Sequence, residues 1–306
     1  MKKRVAVLMG GFSCEREVSL SSGQGVVKAL HDLGHEPIPI DVTRDMGQLV
    51  QTLDENKPDV VLNILHGRWG EDGCIQGILE MMGLSYSNSG VLGSALSMNK
   101  VIARDICQMN GIRVPEGKVA KLVEACAGQV LTFPYVIKPI GEGSSVGVYI
   151  VMDENSPLPK LQDWPFEKEV LVERYIPGRE LQVAVLGGKA HGAIEICPHS
   201  GFYDYEAKYT EGKAVHLMPA PIHPKAYAQV LDWAEKAHNV LGCRGVTRSD
   251  FRYDDTQGEP GILYFLETNP QPGLTPLSLV PEIVAHQGMS YVQLIEWMVE
   301  DASCRR

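Results

Sequence analysis

Two strand-like runs near the end of the chain, GVTRSDFRYD (245–254) and GILYFLETN (261–269), are separated by the turn-rich DTQGEP. Strand-forming residues on both sides of a short turn read as an antiparallel hairpin. Side chains two apart on an extended chain share a face, so Arg248 joins Asp250 on the first strand and Glu267 joins Asn269 on the second. One register across the turn sets Asp250 opposite Glu267 and Arg248 opposite Asn269, and a one-residue slip would undo it. The second strand stops at Pro270, Pro272 and Gly273, having ended in two oxygen-bearing side chains aimed one way. Tyr264, Phe265 and Leu266 mark a buried strand, where a carboxylate needs a cation or a donor. Asp250, Glu267 and Asn269 are then a set of hard oxygen ligands suited to Mg²⁺; the plainer reading is two surface acids beside a turn.

The 306 residues exceed what one hydrophobic core usually serves, so two or three domains are expected. An apolar fraction of 44% and a charged fraction of 22% are those of a soluble globular protein, and no run has the length of a membrane-spanning helix. The start, MKKRVAVLMGG, sets basic residues before an apolar run. That run is five residues long, Val5 to Met9, and charged residues follow closely, so it reads as a first strand and not an export signal. Seven scattered cysteines without a C-x-x-C read as reduced thiols of a cytoplasmic protein. A net charge of −10 leaves no broad basic face for nucleic acid. A bound anion would be held by a few lysines, backbone N–H groups and a metal.

RVAVLMGGFSCEREVSLSSGQGVVKALHDLG reads as strand, glycine turn and helix, with Val26, Val27, Leu30 and Leu33 on one stripe and a stop near Gly34. EPIPIDV and PDVVLNIL read as two further strands, each followed by a loop. An α/β unit with a parallel sheet, carrying ligand groups at the carboxyl ends of its strands, is expected over 1–96. A β-rich α+β domain is expected over 97–180, from the short helix KVIARDICQMNG, the hairpin FPYVIKPIGEGSSVGVYIVMD and the strands of EVLVERYIPGRELQVAVLGGKAHGAIEI. The last domain, α+β over 181–306, holds the long helix AYAQVLDWAEKAHNVLG, the opening hairpin and a helix begun by the capping box Ser290/Gln293.

KPIGEGSSVGV places Gly141, Gly143, Ser144, Ser145 and Gly147 between two strands, where N–H groups and hydroxyls can bind phosphate oxygens. It is not a Walker A loop, since neither the motif nor a following helix is present. Lys138, inside an apolar strand, asks for an anion, for which phosphate is the natural choice. Lys100 reads as a second phosphate contact or as a solvated helix-start lysine.

Seven stretches in one order carry a resemblance: VAVLMGGFSCEREVSLSSG, LHGRWGEDGCIQGILEMMGLSYSNSG, ALSMNK, VIKPIGEGSSVGV, FYDYEAKY, RSDF and LETNPQPGLTPLSLVPE. Nearly end to end, the chain resembles the D-alanine–D-alanine ligases of the ATP-grasp superfamily. The resemblance implies a three-domain ATP-grasp fold with ATP between two antiparallel sheets. It implies a reaction in which one D-alanine takes the γ-phosphoryl group as an acyl phosphate and the amine of a second displaces phosphate, for peptidoglycan synthesis, cell wall biogenesis and cell shape. It also implies two Mg²⁺ ions with Mn²⁺ as a substitute, a monovalent cation as in some relatives, a homodimer, and a cytoplasmic setting. D-alanine and ATP would be the partners, with neither nucleic acid nor membrane.

By the same resemblance, Lys100 and Lys138 bind phosphates; Ser144 and Ser145 belong to the glycine loop; Glu173 and the backbone of Arg174 and Ile176 read adenine; Glu180 binds ribose; and Lys208 and Tyr209 belong to a lid. Glu15 lies near the first substrate's ammonium. Arg248 and the Gly273 N–H stabilise an oxyanion, and Ser278 and Leu279 hold a carboxylate. Asp250, Glu267 and Asn269 hold the metal. His66 orients Glu71 or the substrate, or is a satisfied structural histidine. Leu277 stands where many relatives have histidine, which puts a proton-handling role there in doubt. The alternative reading is another ATP-grasp ligase, such as a D-alanine–D-lactate ligase, against which Tyr209 speaks. A non-catalytic nucleotide-binding regulator would lack metal or oxyanion groups, and a structural Ca²⁺ protein would have no use for Lys138 and the glycine loop.

Overall fold

The structure, a computed structural model, describes residues 1–128, 130–144, 146–198, 214–275 and 278–305. The chain opens with strand β1 (Arg4–Gly10), helix α1 (Arg16–Asp32), β2 (Glu36–Val42), α2 (Met46–Asn56), β3 (Val60–Asn63), α3 (Cys74–Met81) and α4 (Val91–Met98). The three strands form a parallel sheet in the order β2-β1-β3. Its centre is buried on both faces. Val5 and Val7 join one core cluster with Val26 and Leu30 of α1, while Ala6 and Leu8 join another with Leu49, Leu53 and Leu79. That is why VAVL reads as an unbroken apolar run and not as an alternation.

Helices stand where loops are expected after β2 and β3. Asp45 caps α2 by accepting the Gln48 N–H at 2.9 Å, and Lys57 ends it in a left-handed conformation. α2 buries only Leu49 and Leu53, so its apolar stripe is too narrow to stand out from the sequence.

Next come α5 (Lys100–Met109), β4 (Gly117–Lys121), α6 (Leu122–Ala127), β5 (Tyr135–Pro139), β6 (Tyr149–Val151) and β7 (Glu169–Arg174), with the strands in the antiparallel order β4-β7-β5-β6. β5 and β6 form the expected hairpin around the glycine loop. The last part holds β8 (Arg179–Leu186), β9 (Lys189–Pro198), β10 (Ala214–Leu217), α7 (Pro224–Val240), β11 (Val246–Asp254), β12 (Ile262–Asn269), α8 (Leu279–His286) and α9 (Tyr291–Asp301). Its antiparallel sheet runs β10-β9-β8-β11-β12. α7 covers one face with Val230, Ala234 and Ala237, where Phe251 and Phe265 meet edge to face at 5.7 Å. Truncating either ring to alanine costs about 3–5 kcal/mol. α9 returns to pack beside α1, and Ser303 bridges to Tyr86, so the chain end closes against the first sheet. No helix among the described residues is long and apolar enough to cross a membrane.

Candidate active site

β11 and β12 begin from their turn as a regular ladder, with Asp254 opposite Ile262 and Phe251 opposite Phe265. Continued unbroken, that ladder would set Asp250 opposite Leu266. A β-bulge takes up Leu266 instead, so that Asp250 faces Glu267 and Arg248 faces Asn269, the register expected. The bulge also interrupts the alternation of faces. Phe265 belongs to the core, yet Glu267, two residues on, lines a cavity. On a regular strand the two would share a face. Ser249 lines neither cavity wall, and its buried hydroxyl lies 2.9 Å from that of Thr268.

The charges at this corner are paired. The Arg248 guanidinium donates to both oxygens of Asp250, at 2.8 and 3.0 Å. Lys100 Nζ lies 3.1 Å from Glu267 Oε2 and also donates to the Glu142 carbonyl. Asn99 caps α5 through the Ile102 N–H at 3.1 Å, which places Lys100 at the first helical position. Asn269 Oδ1 accepts the Gln271 N–H at 2.8 Å. Among the described residues no group of three His, Cys, Asp or Glu side chains is gathered for a metal. The donor set of two carboxylates and an amide is all oxygen, which fits a hard divalent ion that takes its remaining ligands from water or a bound anion.

A cavity of about 650 Å³ has walls drawn from both antiparallel sheets, including Lys138, Glu173, Ile176, Glu180, Asp250 and Glu267. That is the size of a pocket for a drug-sized or nucleotide-sized ligand. Lys138 is paired with Glu173, which also lies 3.3 Å from Arg104. All three are buried, so the lone carboxylate between two cations is stabilised where an unpartnered one would be costly. Arg174 donates to the Tyr264 hydroxyl at 2.8 Å, Ile176 is buried, and Glu180 sits 3.7 Å from Arg252. Arg104, which sequence reading passes over, carries no local signal, because only the fold brings it to Glu173.

A second, narrow cavity of about 50 Å³ is lined by Glu15, His66, Ser144, Arg248, Asn269 and Gly273, among others. Lys100, Glu142 and Glu267 line both cavities, so the two adjoin at the carboxylate corner. Glu15 precedes the first turn of α1 and is buried, and it accepts a hydrogen bond from Ser144 of the glycine loop. Ser144 is held at a φ of 51°, in the left-handed region. His66 Nδ1 lies 3.2 Å from Glu71 Oε1, both groups buried. Burial alone would lower the His66 pKa, but the hydrogen bond and charge of Glu71, with the charge of Glu15, outweigh it and leave the pKa raised.

At Gly273 a Cβ would come within 2.8 Å of Ser278 Oγ, so a side chain there would displace that hydroxyl. Ser278 Oγ accepts the Thr275 N–H at 2.9 Å, and Leu279 starts α8 with its side chain in the core. The structure thus gathers Glu15, His66, Lys100, Ser144, Arg248, Asp250, Glu267, Asn269 and Gly273 around the joined cavities. Ser145, Lys208, Tyr209 and Leu277 lie outside the described residues.

Residues 45–89 match the family model for the D-ala D-ala ligase N-terminus, and residues 106–300 match that for the D-ala D-ala ligase C-terminus. The chain is 53% identical to a D-alanine–D-alanine ligase of Paramagnetospirillum magneticum, over 99% of this chain and 100% of the relative. It is 52% identical to one of Methylocella silvestris over the full length of both. Among solved structures, the D-alanine–D-alanine ligase of Bacillus anthracis complexed with ATP superposes with a TM-score of 0.81 at 28% identity, covering 98% of this chain and 97% of that one. The VanG D-Ala:D-Ser ligase of Enterococcus faecalis superposes with a TM-score of 0.78 at 30% identity, covering 98% and 99%.

Proposed function

The chain belongs to the D-alanine–D-alanine ligase family, and from that premise we propose how its own residues carry the reaction. It is an ATP-dependent ligase that joins two D-alanines for peptidoglycan synthesis. The observation that carries the residue assignment is the meeting of the two cavities at Lys100 and Glu267. A nucleotide in the larger one brings its phosphates to the carboxylate corner, and the reacting groups of the two amino acids meet at the smaller one, whose volume of about 50 Å³ is less than both together.

In the larger cavity, the backbone around Arg174 and Ile176 and the buried Glu173 present the adenine contacts. Glu180 reaches the ribose, and Lys138 and Lys100 reach the phosphates. Asp250, Glu267 and Asn269 would hold Mg²⁺, with Mn²⁺ as a substitute; the ion would offset charge on the phosphate oxygens.

In the smaller cavity Glu15 pairs with the ammonium of the first D-alanine, its carboxylate oriented by Ser144. His66, held by Glu71, faces the same substrate. Arg248 and the Gly273 N–H are fixed donors at the carbonyl oxygen that becomes an oxyanion when the second amine attacks the acyl phosphate. Beside the cavity, next to Gly273, Ser278 and the backbone at the start of α8 receive the second carboxylate. Lys208 and Tyr209 are proposed, from the sequence alone, as parts of a lid that keeps water from the acyl phosphate. All seven cysteines are free thiols, in keeping with a cytoplasmic setting. The homodimer stands as a family expectation.

The test is phosphate release from ATP with a panel of D- and L-amino acids and D-lactate. Release with D-alanine and formation of the dipeptide are expected. Equal release without D-alanine, or release only with an L-amino acid, would overturn the substrate.

A further inference from the structure

Gln271 lies between Pro270 and Pro272 and is 2% exposed. Its carboxamide reaches across the molecule to the first sheet. Nε2 donates to the Leu65 carbonyl, and Oε1 accepts from Asn63 Nδ2 at 2.8 Å and from Asn88 Nδ2 at 3.4 Å. Asn63, the last residue of β3, is itself tied down. Its other Nδ2 hydrogen goes to the Gly70 carbonyl at 2.9 Å, and its Oδ1 accepts the Leu65 N–H at 3.2 Å. A buried amide left without partners keeps its desolvation cost uncompensated, so this network favours one arrangement of the two segments.

Both ends of the network abut site residues. On one side the Gln271 N–H fixes the Asn269 carboxamide, and Gly273 follows two residues later. On the other, Leu65 immediately precedes His66. We propose that Gln271 is a positioning residue: it ties the Asn269–Gly273 turn to the carboxyl end of β3. Donors from the last sheet and His66 from the first are thereby held around one substrate. This rests on the ligase reading above.

Gln271→Met, which keeps the length of the side chain and removes both polar atoms, and Asn63→Ala, which removes the partner on the other segment, test it by initial-rate kinetics with thermal melts under the same conditions. In both variants kcat is expected to fall about 30-fold, within the roughly 100-fold that a 1 Å misplacement can cost. The KM for ATP stays within about twofold, as for a loss felt at the chemical step and not in ground-state binding. A Met variant within about twofold of wild-type kcat overturns the proposal, as does a KM for ATP that rises as far as kcat falls. If the Met variant does not melt cooperatively, Asn63→Ala decides alone, and an unchanged kcat there overturns the proposal equally. A wild-type chain inactive with D-alanine overturns the ligase reading too; an active wild type with unaffected variants overturns only the role of Gln271.

Discussion

Asp250 and Glu267 face each other across β11 and β12 because Leu266 is set aside in a bulge between them and the core. One inserted residue lets β12 serve two masters: Phe265 completes the packing under α7, and Glu267 turns to the cavity. Bulges beside active sites commonly re-aim a side chain in this way. The pair sits between two cations, Arg248 on Asp250 and Lys100 on Glu267, so neither acid is left as a bare buried charge.

The oxygen set predicts dependence on a divalent ion. EDTA is expected to abolish phosphate release, and Mg²⁺ or Mn²⁺ to restore it. Glu267→Gln keeps the shape but removes one charged ligand, and it should raise the Mg²⁺ concentration for half-maximal rate about tenfold or more, the equivalent of about 1.4 kcal/mol. An unchanged Mg²⁺ titration would remove Glu267 from the ligand set.

Arg248 makes a different prediction, since it combines a structural bond with a proposed catalytic one. Arg248→Ala leaves the buried Asp250 without its two-point partner and should lower the melting temperature. Beyond that, loss of an oxyanion donor is expected to cut kcat about 100- to 1000-fold. The KM for ATP should change little, because the contact matters mainly in the transition state. Equal losses in kcat and in ATP affinity would make Arg248 a ground-state anchor.

The hairpin is legible in the sequence because a short turn and a period of two leave few choices. The bulge on which the Asp250–Glu267 pairing depends is not, and a strict ladder from Asp254–Ile262 would have missed that pairing by one residue. Ser249 facing away is legible from the same alternation. α2 is not, because its two buried leucines give a weak period. Lys138 announces itself as a lysine in an apolar strand, but its partners Glu173 and Arg104 come from other elements. Gln271 gives no signal at all: a glutamine between two prolines reads as a turn, and its burial depends on Asn63, more than 200 residues away in the chain.

Ser144 links the glycine loop to the start of α1. Its hydrogen bond goes to a carboxylate, a class worth about 1.5–3 kcal/mol, so Ser144→Ala should lower kcat/KM for D-alanine roughly 10- to 100-fold. Ser144→Gly should show the same kinetic loss with an equal or higher melting temperature, because glycine adopts a φ near 51° without strain. If both variants keep wild-type efficiency, the bond to Glu15 does not orient the acid for substrate.

The His66–Glu71 pair gives a pH dependence with a definite sign. Burial pulls the imidazole pKa down, but the hydrogen bond to Glu71 and the charges of Glu71 and Glu15 leave it raised above the usual 6.5. The folded protein therefore holds the His66 proton more tightly than the unfolded chain does. The stability this supplies is complete below pH 6.5 and is lost as pH climbs through the higher folded value. Glu71→Gln removes the main raising partner. The stability gap between wild type and variant, measured by urea unfolding, should thus be widest near pH 5.5 and narrow steadily towards pH 9. A gap that stays constant, or widens with pH, would mean that His66 is neutral in the folded protein, and its proposed approach to the substrate would then be as a neutral imidazole.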